Sequence, residues 1–254
     1  MEILGDFHVH STYSDGLLTI TQLVDFYGKL GFKALAITDH LCEEKTLLGR
    51  AAKFLNRTLR AENFSVYLNE IYREKKRALQ QYGMCLIPGV EITKNSFSHR
   101  NSSHIVILGI DAYIDPDQSI EEICRRARIQ NALSVAAHPV STQKIEAQTR
   151  FLWDNRERLQ PILDVWEVAS GDIIFKEVLE SGLSIIANSD LHHPRQMSSW
   201  KTKVYGPMSE KHILDEIKHQ NLEIFFYEYN FGQEFLENVH LQKRSYVEGS
   251  VFQH

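Results

Sequence analysis

The segment Asp6–Gly16, DFHVHSTYSDG, holds two histidines and two aspartates at the end of a short apolar run. In an extended strand successive side chains face opposite ways, so His8 and His10 project to the same side. Two imidazoles converging from one strand end can bind a divalent ion, or they can be polar residues at a sheet edge. The ends of the other apolar runs bear on the choice. ITDH supplies Asp39 and His40, CLIPGVEIT supplies Glu91, AAHP supplies His138, and ANSDLHH supplies Asp190, His192 and His193. His104 stands at the entry to IVILG. Imidazole and carboxylate without thiolate suit Zn²⁺, Mn²⁺ or Fe²⁺. There are too many ligands for one four-coordinate ion, which points to a cluster of two or three. Divalent ions about 3.5–4 Å apart are suited to clamping a phosphoester during in-line displacement.

Something must carry these residues to one place. Ala34–Thr38, Cys85–Pro88, Ile105–Gly109, Leu133–Ala137, Ile162–Val168 and Leu183–Ala187 read as buried strands. Apolar runs that barely alternate are expected where both faces of a strand are covered, as in parallel sheets. Amphipathic segments lie between them. Ile20, Leu23, Val24, Tyr27 and Leu30 follow helical spacing and Gly31 offers a stop. Ser119–Glu122 reads as a capping box opening a helix with Ile123 and Ala127. Repeated strand–helix alternation implies a parallel sheet, open or closed into a barrel, and strand C-termini in a barrel converge on one face. His99, His212, His219, His240 and His254 follow no apolar strand and read as ordinary histidines.

The segment from Leu41 to Tyr82 breaks the rhythm. It is helical in composition, and between Glu43 and Tyr82 nine Lys and Arg face five Glu, a net of +4. A solvated helical face explains this, and so does a lid offering cations to an anionic substrate. No linker or repeat interrupts the chain, so residues 1–254 read as one domain with a helical insert at about 41–82. With 43% hydrophobic residues, 254 residues can bury a substantial core. The formal net charge of −5 argues against a broad footprint on long nucleic acid. Cys42, Cys85 and Cys124 are odd in number and form no C-x-x-C, which fits a reducing compartment. No run approaches a membrane span, and an apparent strand begins by Ile3, so a cytoplasmic protein without a signal peptide is expected.

His8-x-His10 with Ser14-Asp15-Gly16, Thr38-Asp39-His40, Gly89-Val90-Glu91, His138-Pro139 and Ser189-Asp190-x-His192 together resemble the PHP (polymerase and histidinol phosphatase) superfamily. The match runs in order from Asp6 to about Arg195 and continues more weakly through Ser199-Trp200-Lys201. The resemblance implies an α/β fold, a distorted seven-stranded (β/α) barrel with the insert after its second strand, and a trinuclear centre. By the same resemblance His8, His10, Glu91 and Asp190 hold one ion, and Glu91 bridges to a second held by His104 and His138. Asp15, His40 and His192 hold the third; many relatives carry His at the Asp15 position and others Asp. Asp39 then orients ligands, since its side chain alternates away from that of His40.

The chemistry implied is phosphoester hydrolysis by a hydroxide bridging two ions, centred on Glu91 and Asp190, with no covalent phosphoenzyme. His193 is a candidate acid for the leaving oxygen, or an exposed neighbour of His192. Arg195 is a candidate phosphate anchor, or a surface arginine after a proline. The expected substrate is a small phosphomonoester: a nucleotide, or a sugar or amino-alcohol phosphate. An exonuclease on short oligonucleotides could run on the same centre. A non-catalytic binding or regulatory module is a further alternative, against which all nine ligand positions carry competent residues. An amidohydrolase also begins with H-x-H, but GVEIT and AAHP fit that group less well.

Overall fold

The computed structural model describes residues 1–55, 57–140 and 149–229, so His240 and His254 lie outside the described residues. The chain is a mixed α/β fold. Its strands are β1 (Glu2–Asp6), β2 (Ala34–Ile37), β3 (His40–Cys42), β4 (Cys85–Lys94), β5 (Ser103–Leu108), β6 (Leu133–Ala137), β7 (Val165–Ser170), β8 (Ile173–Ile174), β9 (Ile185–Asn188), β10 (Ser199–Tyr205) and β11 (Leu222–Tyr227). The main helices are α1 (Ile20–Lys29), α2 (Leu47–Phe54), α3 (Ala61–Tyr82) and α4 (Ile120–Ile129). Short helices α5 (Phe151–Asp154), α6 (Arg156–Leu159) and α7 (Lys176–Leu179) follow, then α8 (Glu210–Lys218).

Among the described residues eleven strands form one sheet in the order β11-β10-β1-β2-β4-β5-β6-β7-β8, with β3 paired to β4 and β9 to β7. The sheet curls until β9 meets β10. There the Thr202 hydroxyl accepts from the Ala187 N–H at 3.0 Å and donates to the Ala187 carbonyl at 2.8 Å. This ladder has more strands than the seven implied by the resemblance, and it is not all parallel. β1, β2 and β4 run parallel, as do β6, β7 and β9, but β5 is antiparallel to both β4 and β6. The reason lies in the connection. Only residues 95–102 join β4 to β5, and a parallel crossover needs a dozen or more.

Each helix is set by its own sequence. Thr19 caps α1, accepting from the Gln22 N–H at 3.2 Å, and the Gln22 side chain returns to the Thr19 N–H at 2.9 Å. Ser119 accepts from the Glu122 N–H to open α4, but the return arm of the expected capping box is absent. The Glu122 carboxylate binds Arg125 and Arg126 instead. α3 buries Phe64, Tyr67, Leu68, Ile71 and Ala78 against α1 and β4, and it ends at Gly83, whose φ of 55° is left-handed.

α3 therefore belongs to the helical layer, as the crossover between the parallel neighbours β2 and β4, and only the chain before it is an excursion. That excursion leaves β3 at Glu43 and returns where the Leu59 N–H meets the His40 carbonyl at 2.8 Å. It carries Lys45, Arg50 and Arg57. Lys75 and Arg77, counted above toward the excess of cations, are committed elsewhere, to Glu210 and to Asp25 with Glu74.

Two apolar clusters face the two sides of the sheet. The inner one combines Ile3, Phe7, Ala34, Ile87, Val106, Val135, Val165 and Ile186 with Ile213, Leu214 and Ile217 of α8. The outer one joins alternate strand residues such as Leu35, Leu86, Ile107 and Trp166 to α1, α3 and α4. Phe7 lies in the inner cluster and Val9 in the outer one, so regular alternation breaks just after β1, and His8 is left facing Glu91 and Glu167.

Candidate metal centre

His8 and His10 are wholly buried, and Glu91, His104 and His138 nearly so. Register brings them together: His40 lies opposite Glu91 on β4, and Thr93 lies opposite His104 on β5. His104 opens its strand, and in an all-parallel barrel it would sit at the end remote from Glu91. Antiparallel β5 puts it beside that residue.

Three groups of side chains have ligand atoms within 4.8 Å of one another: His10 with Asp15, His40 and His192; His8 with Glu91 and His138; and His8 with His10 and Asp190. They share His8 and His10, so the three adjoin. Across them His8 Nε2 is 3.6 Å from Glu91 and 3.4 Å from Asp190, and His10 Nε2 is 3.2 Å from Asp190. Asp15 Oδ1 is 3.5 Å from His40 Nε2 and 3.3 Å from His192 Nε2. Most of these separations exceed a good hydrogen bond but match the roughly 3.4 Å between ligands about 2.1 Å from one tetrahedral ion.

Four buried atoms here have no hydrogen-bond partner among the described residues: His8 Nε2, both ring nitrogens of His10, and Asp190 Oδ1. Each such group costs roughly 1–3 kcal/mol when buried unpaired. A divalent cation would take up His8 Nε2, Asp190 Oδ1 and one nitrogen of His10, whose other nitrogen carries the proton of a neutral ring. The donor set of histidine and carboxylate also suits it, so the residues fit the ions that the sequence implies.

His104 is arranged differently from that expectation. Its Nδ1 is 2.9 Å from Glu91 and its Nε2 is 3.0 Å from Asn95, and His8 takes its place in the group with Glu91 and His138. Asp39 accepts from the Ser11 N–H and hydroxyl and from the Ser14 hydroxyl, which fastens the loop bearing Asp15 to β2. His193 Nδ1 accepts from the Arg195 N–H at 3.0 Å, so a neutral ring carries its proton on Nε2. Arg195 itself is exposed on the following turn. His212 and His219 sit on or beside α8 and hydrogen-bond to nearby backbone carbonyls.

The sequence reading missed Glu167. This wholly buried carboxylate lies 2.9 Å from His8 Nδ1 and accepts from the His138 N–H at 2.7 Å and from the Asn188 amide at 2.9 Å. It fixes the His8 ring with Nε2 turned toward Glu91 and Asp190. The available signal was a carboxylate inside the apolar run ILDVWEV. Thr149 does the same for His138, at 3.0 Å from its Nδ1.

Two of the four non-glycine residues with positive φ among the described residues are His138 at 28° and Asp190 at 52°. The others, Asn131 and Gln220, follow helix ends. Such conformations cost about 1–3 kcal/mol each and concentrate where function requires them.

Charge in the protein alone is strongly coupled. Burial disfavours ionisation of Glu91 and Asp190, yet the surrounding histidines hold both carboxyls well below the usual range. Burial likewise disfavours charge on His192, but Asp190 and Asp15 push it up to about 10. His10, buried and facing His192 and His40, falls to about 3. Near neutral pH the protein alone thus keeps protons on His192 and on His8, and a bound cation must expel them. The sign follows: affinity for Mn²⁺ or Zn²⁺ should rise with pH, about tenfold per unit for each proton displaced, between about pH 6 and pH 8. Calorimetry in buffers of different ionisation enthalpy counts those protons. A flat affinity over that range would contradict this account.

The sequence model of the PHP domain matches residues 6–116. Over 237 residues the chain is 22% identical to the DNA polymerase/3'-5' exonuclease PolX of Bacillus subtilis (strain 168). That match covers 88% of this chain and 41% of PolX, so the chain spans about two fifths of its relative's length. A two-domain protein from Bacteroides vulgatus ATCC 8482, described as containing a predicted PHP-like metal-dependent phosphoesterase, has a similar fold. Its TM-score is 0.66 at 22% identity, over 96% of this chain and 70% of that one. PsfC from Pseudomonas syringae PB-5123 is also similar, with a TM-score of 0.59 at 15% identity over 96% and 98% of the two chains.

Proposed function

We propose that this chain, a member of the PHP domain family through residues 6–116, is a metal-dependent phosphoesterase acting on a small phosphomonoester such as a nucleotide or a sugar or amino-alcohol phosphate. The observation that carries this reading is the set of three adjoining ligand groups sharing His8 and His10, with their orphaned buried atoms. Two or three divalent ions held there would acidify water and neutralise phosphoryl oxygens. The chain's own residues do the rest. His8, His138 and Glu91 form the deep wall, while Asp15, His40 and His192, with side chains 30%, 14% and 28% exposed, form the mouth where a phosphate enters.

His193, its proton on Nε2, serves the leaving oxygen, and Arg195 anchors the phosphate with its guanidinium fork. The excursion between Glu43 and Thr58, which rejoins the fold at the His40 carbonyl, carries Arg50 and Arg57 and would cover a small substrate. Three free, buried thiols support a reducing, cytoplasmic setting, and no helix among the described residues is long and apolar enough to cross a membrane.

The similarity to PolX supports a second reading, an exonuclease on short oligonucleotides. Salt separates the two. Binding that tracks several phosphates weakens steeply with ionic strength, whereas one or two phosphates give a shallow slope. The manganese- or zinc-loaded protein would be screened against phosphomonoesters, dinucleotides and short oligonucleotides, measuring kcat/KM across a salt series. A mononucleotide or sugar phosphate is expected to be preferred, with a shallow slope. Preference for the oligonucleotide with a steep slope would establish the exonuclease reading instead.

A further inference from the structure

Lys201 is a wholly buried lysine on β10. Burying an ammonium is costly unless every proton finds a partner. Its Nζ lies 2.9 Å from Asp6 Oδ2 and donates to the Ser199 hydroxyl at 2.6 Å. Asp6 is equally buried, at the end of β1, and its carboxylate gathers three more donors. The Tyr27 hydroxyl reaches it at 2.7 Å, the Ser189 hydroxyl at 2.6 Å and the Ser189 N–H at 3.1 Å.

Ser189 is the residue that matters. It precedes Asp190, whose backbone is held left-handed at 52° and whose Oδ1 is one of the orphaned atoms. On the other side of Asp190, the Leu191 N–H bonds the His8 carbonyl at 3.2 Å and the Leu191 carbonyl accepts from His10 at 2.9 Å. Asp190 is therefore stretched between two fixed points, one in the backbone of β1's extension and the other Asp6.

We infer that the Asp6–Lys201 ion pair is a positioning device for the metal centre, fixing Ser189 so that the Asp190 carboxylate stands at ligand distance from His8 and His10. This rests on the reading that the centre holds divalent ions. A buried pair of this kind is a poor stabiliser compared with apolar side chains of the same volume, so stability alone gives little reason to place one here. What it supplies is a fixed carboxylate with four donors, which apolar packing cannot mimic.

The test uses the full chain, with Co²⁺ as the probe and no substrate. Metal-free Lys201→Met should melt cooperatively at a reduced Tm, bind cobalt about 10–100-fold more weakly, and show altered visible absorption of the bound cobalt. Asp6→Asn with Lys201→Met removes both charges. It should recover the Tm without recovering cobalt affinity, because the amide at position 6 offers Ser189 and Tyr27 a single acceptor oxygen in place of the carboxylate.

If Lys201→Met does not fold, Ser189→Ala carries the test, since it deletes the hydroxyl that bonds Asp6 at 2.6 Å and the His8 carbonyl at 3.4 Å and should weaken cobalt binding about threefold to tenfold. Variants that lose Tm but keep wild-type cobalt affinity and absorption would show a merely structural pair and overturn the inference. Absence of phosphoester hydrolysis by the wild type would sink the proposed function and leave the cobalt result standing.

Discussion

Replacing Glu91 by Gln is expected to lower kcat/KM for a phosphomonoester at least about a thousandfold, roughly 4 kcal/mol of transition-state stabilisation, while the protein stays folded. Glu91 is the hub of the centre. His104 Nδ1 lies 2.9 Å from its Oε1, His138 Nε2 3.2 Å from the same oxygen, and His40 Nδ1 2.8 Å from Oε2. Gln keeps the volume and one acceptor oxygen, so β4 and its neighbours should remain in register. It removes a negative charge from a place where cations must gather, which weakens ion binding and the chemistry together. Elemental analysis of the purified variant should show reduced metal content beside wild-type circular dichroism. Activity within a few-fold of wild type would place the chemistry elsewhere.

Stripping the wild type with chelator is the second large effect. At a free metal concentration a thousand times Kd, one bound ion stabilises the folded chain by about 4 kcal/mol. For a domain of this size that is about 8–16 °C in Tm per ion. The physical origin is visible in the orphaned His8, His10 and Asp190 atoms, whose lone pairs a bound cation would engage. Protein purified without chelator should carry more than one equivalent of metal by elemental analysis, and readdition should restore both Tm and activity. A melting curve indifferent to chelator, with only trace metal present, would mean that these side chains satisfy one another in some other way.

The chain order of the candidate ligands could be read directly. His8, His10, Asp15, His40, Glu91, His138, Asp190 and His192 stand at or near the ends of apolar runs, and residue type with strand spacing is local information. The major strands were legible because burial on both faces leaves a continuous apolar run, and α1 because its apolar residues recur at helical spacing. Elements whose pairing partners lie far away in sequence were not. β10, SWKTKVY, holds two lysines and is not among the apolar runs that read as buried strands, yet Lys201 is wholly buried because Asp6 meets it from the far end of the chain. Glu167 looked like an interruption in an apolar strand until His8 and His138 were brought to either side of it.

The direction of β5 was likewise a tertiary decision. The sequence shows a histidine at the start of a strand, which in a parallel sheet would be stranded at the wrong end. The eight-residue link 95–102 is too short for a crossover, so β5 folds back on β4 and His104 arrives opposite Thr93. The same holds for the Leu41–Tyr82 segment, whose composition suits a lid throughout. Its longest helix packs on α1 and β4 because Phe64, Tyr67, Leu68 and Ile71 share one apolar face that only those elements cover. Sequence by itself determined which residues could do the chemistry and that strands would end in them. Which strands run antiparallel, which buried charges pair across the chain, and which candidate ligands stand together depended on contacts between residues up to nearly two hundred positions apart, such as Asp6 with Lys201, for which no local pattern exists.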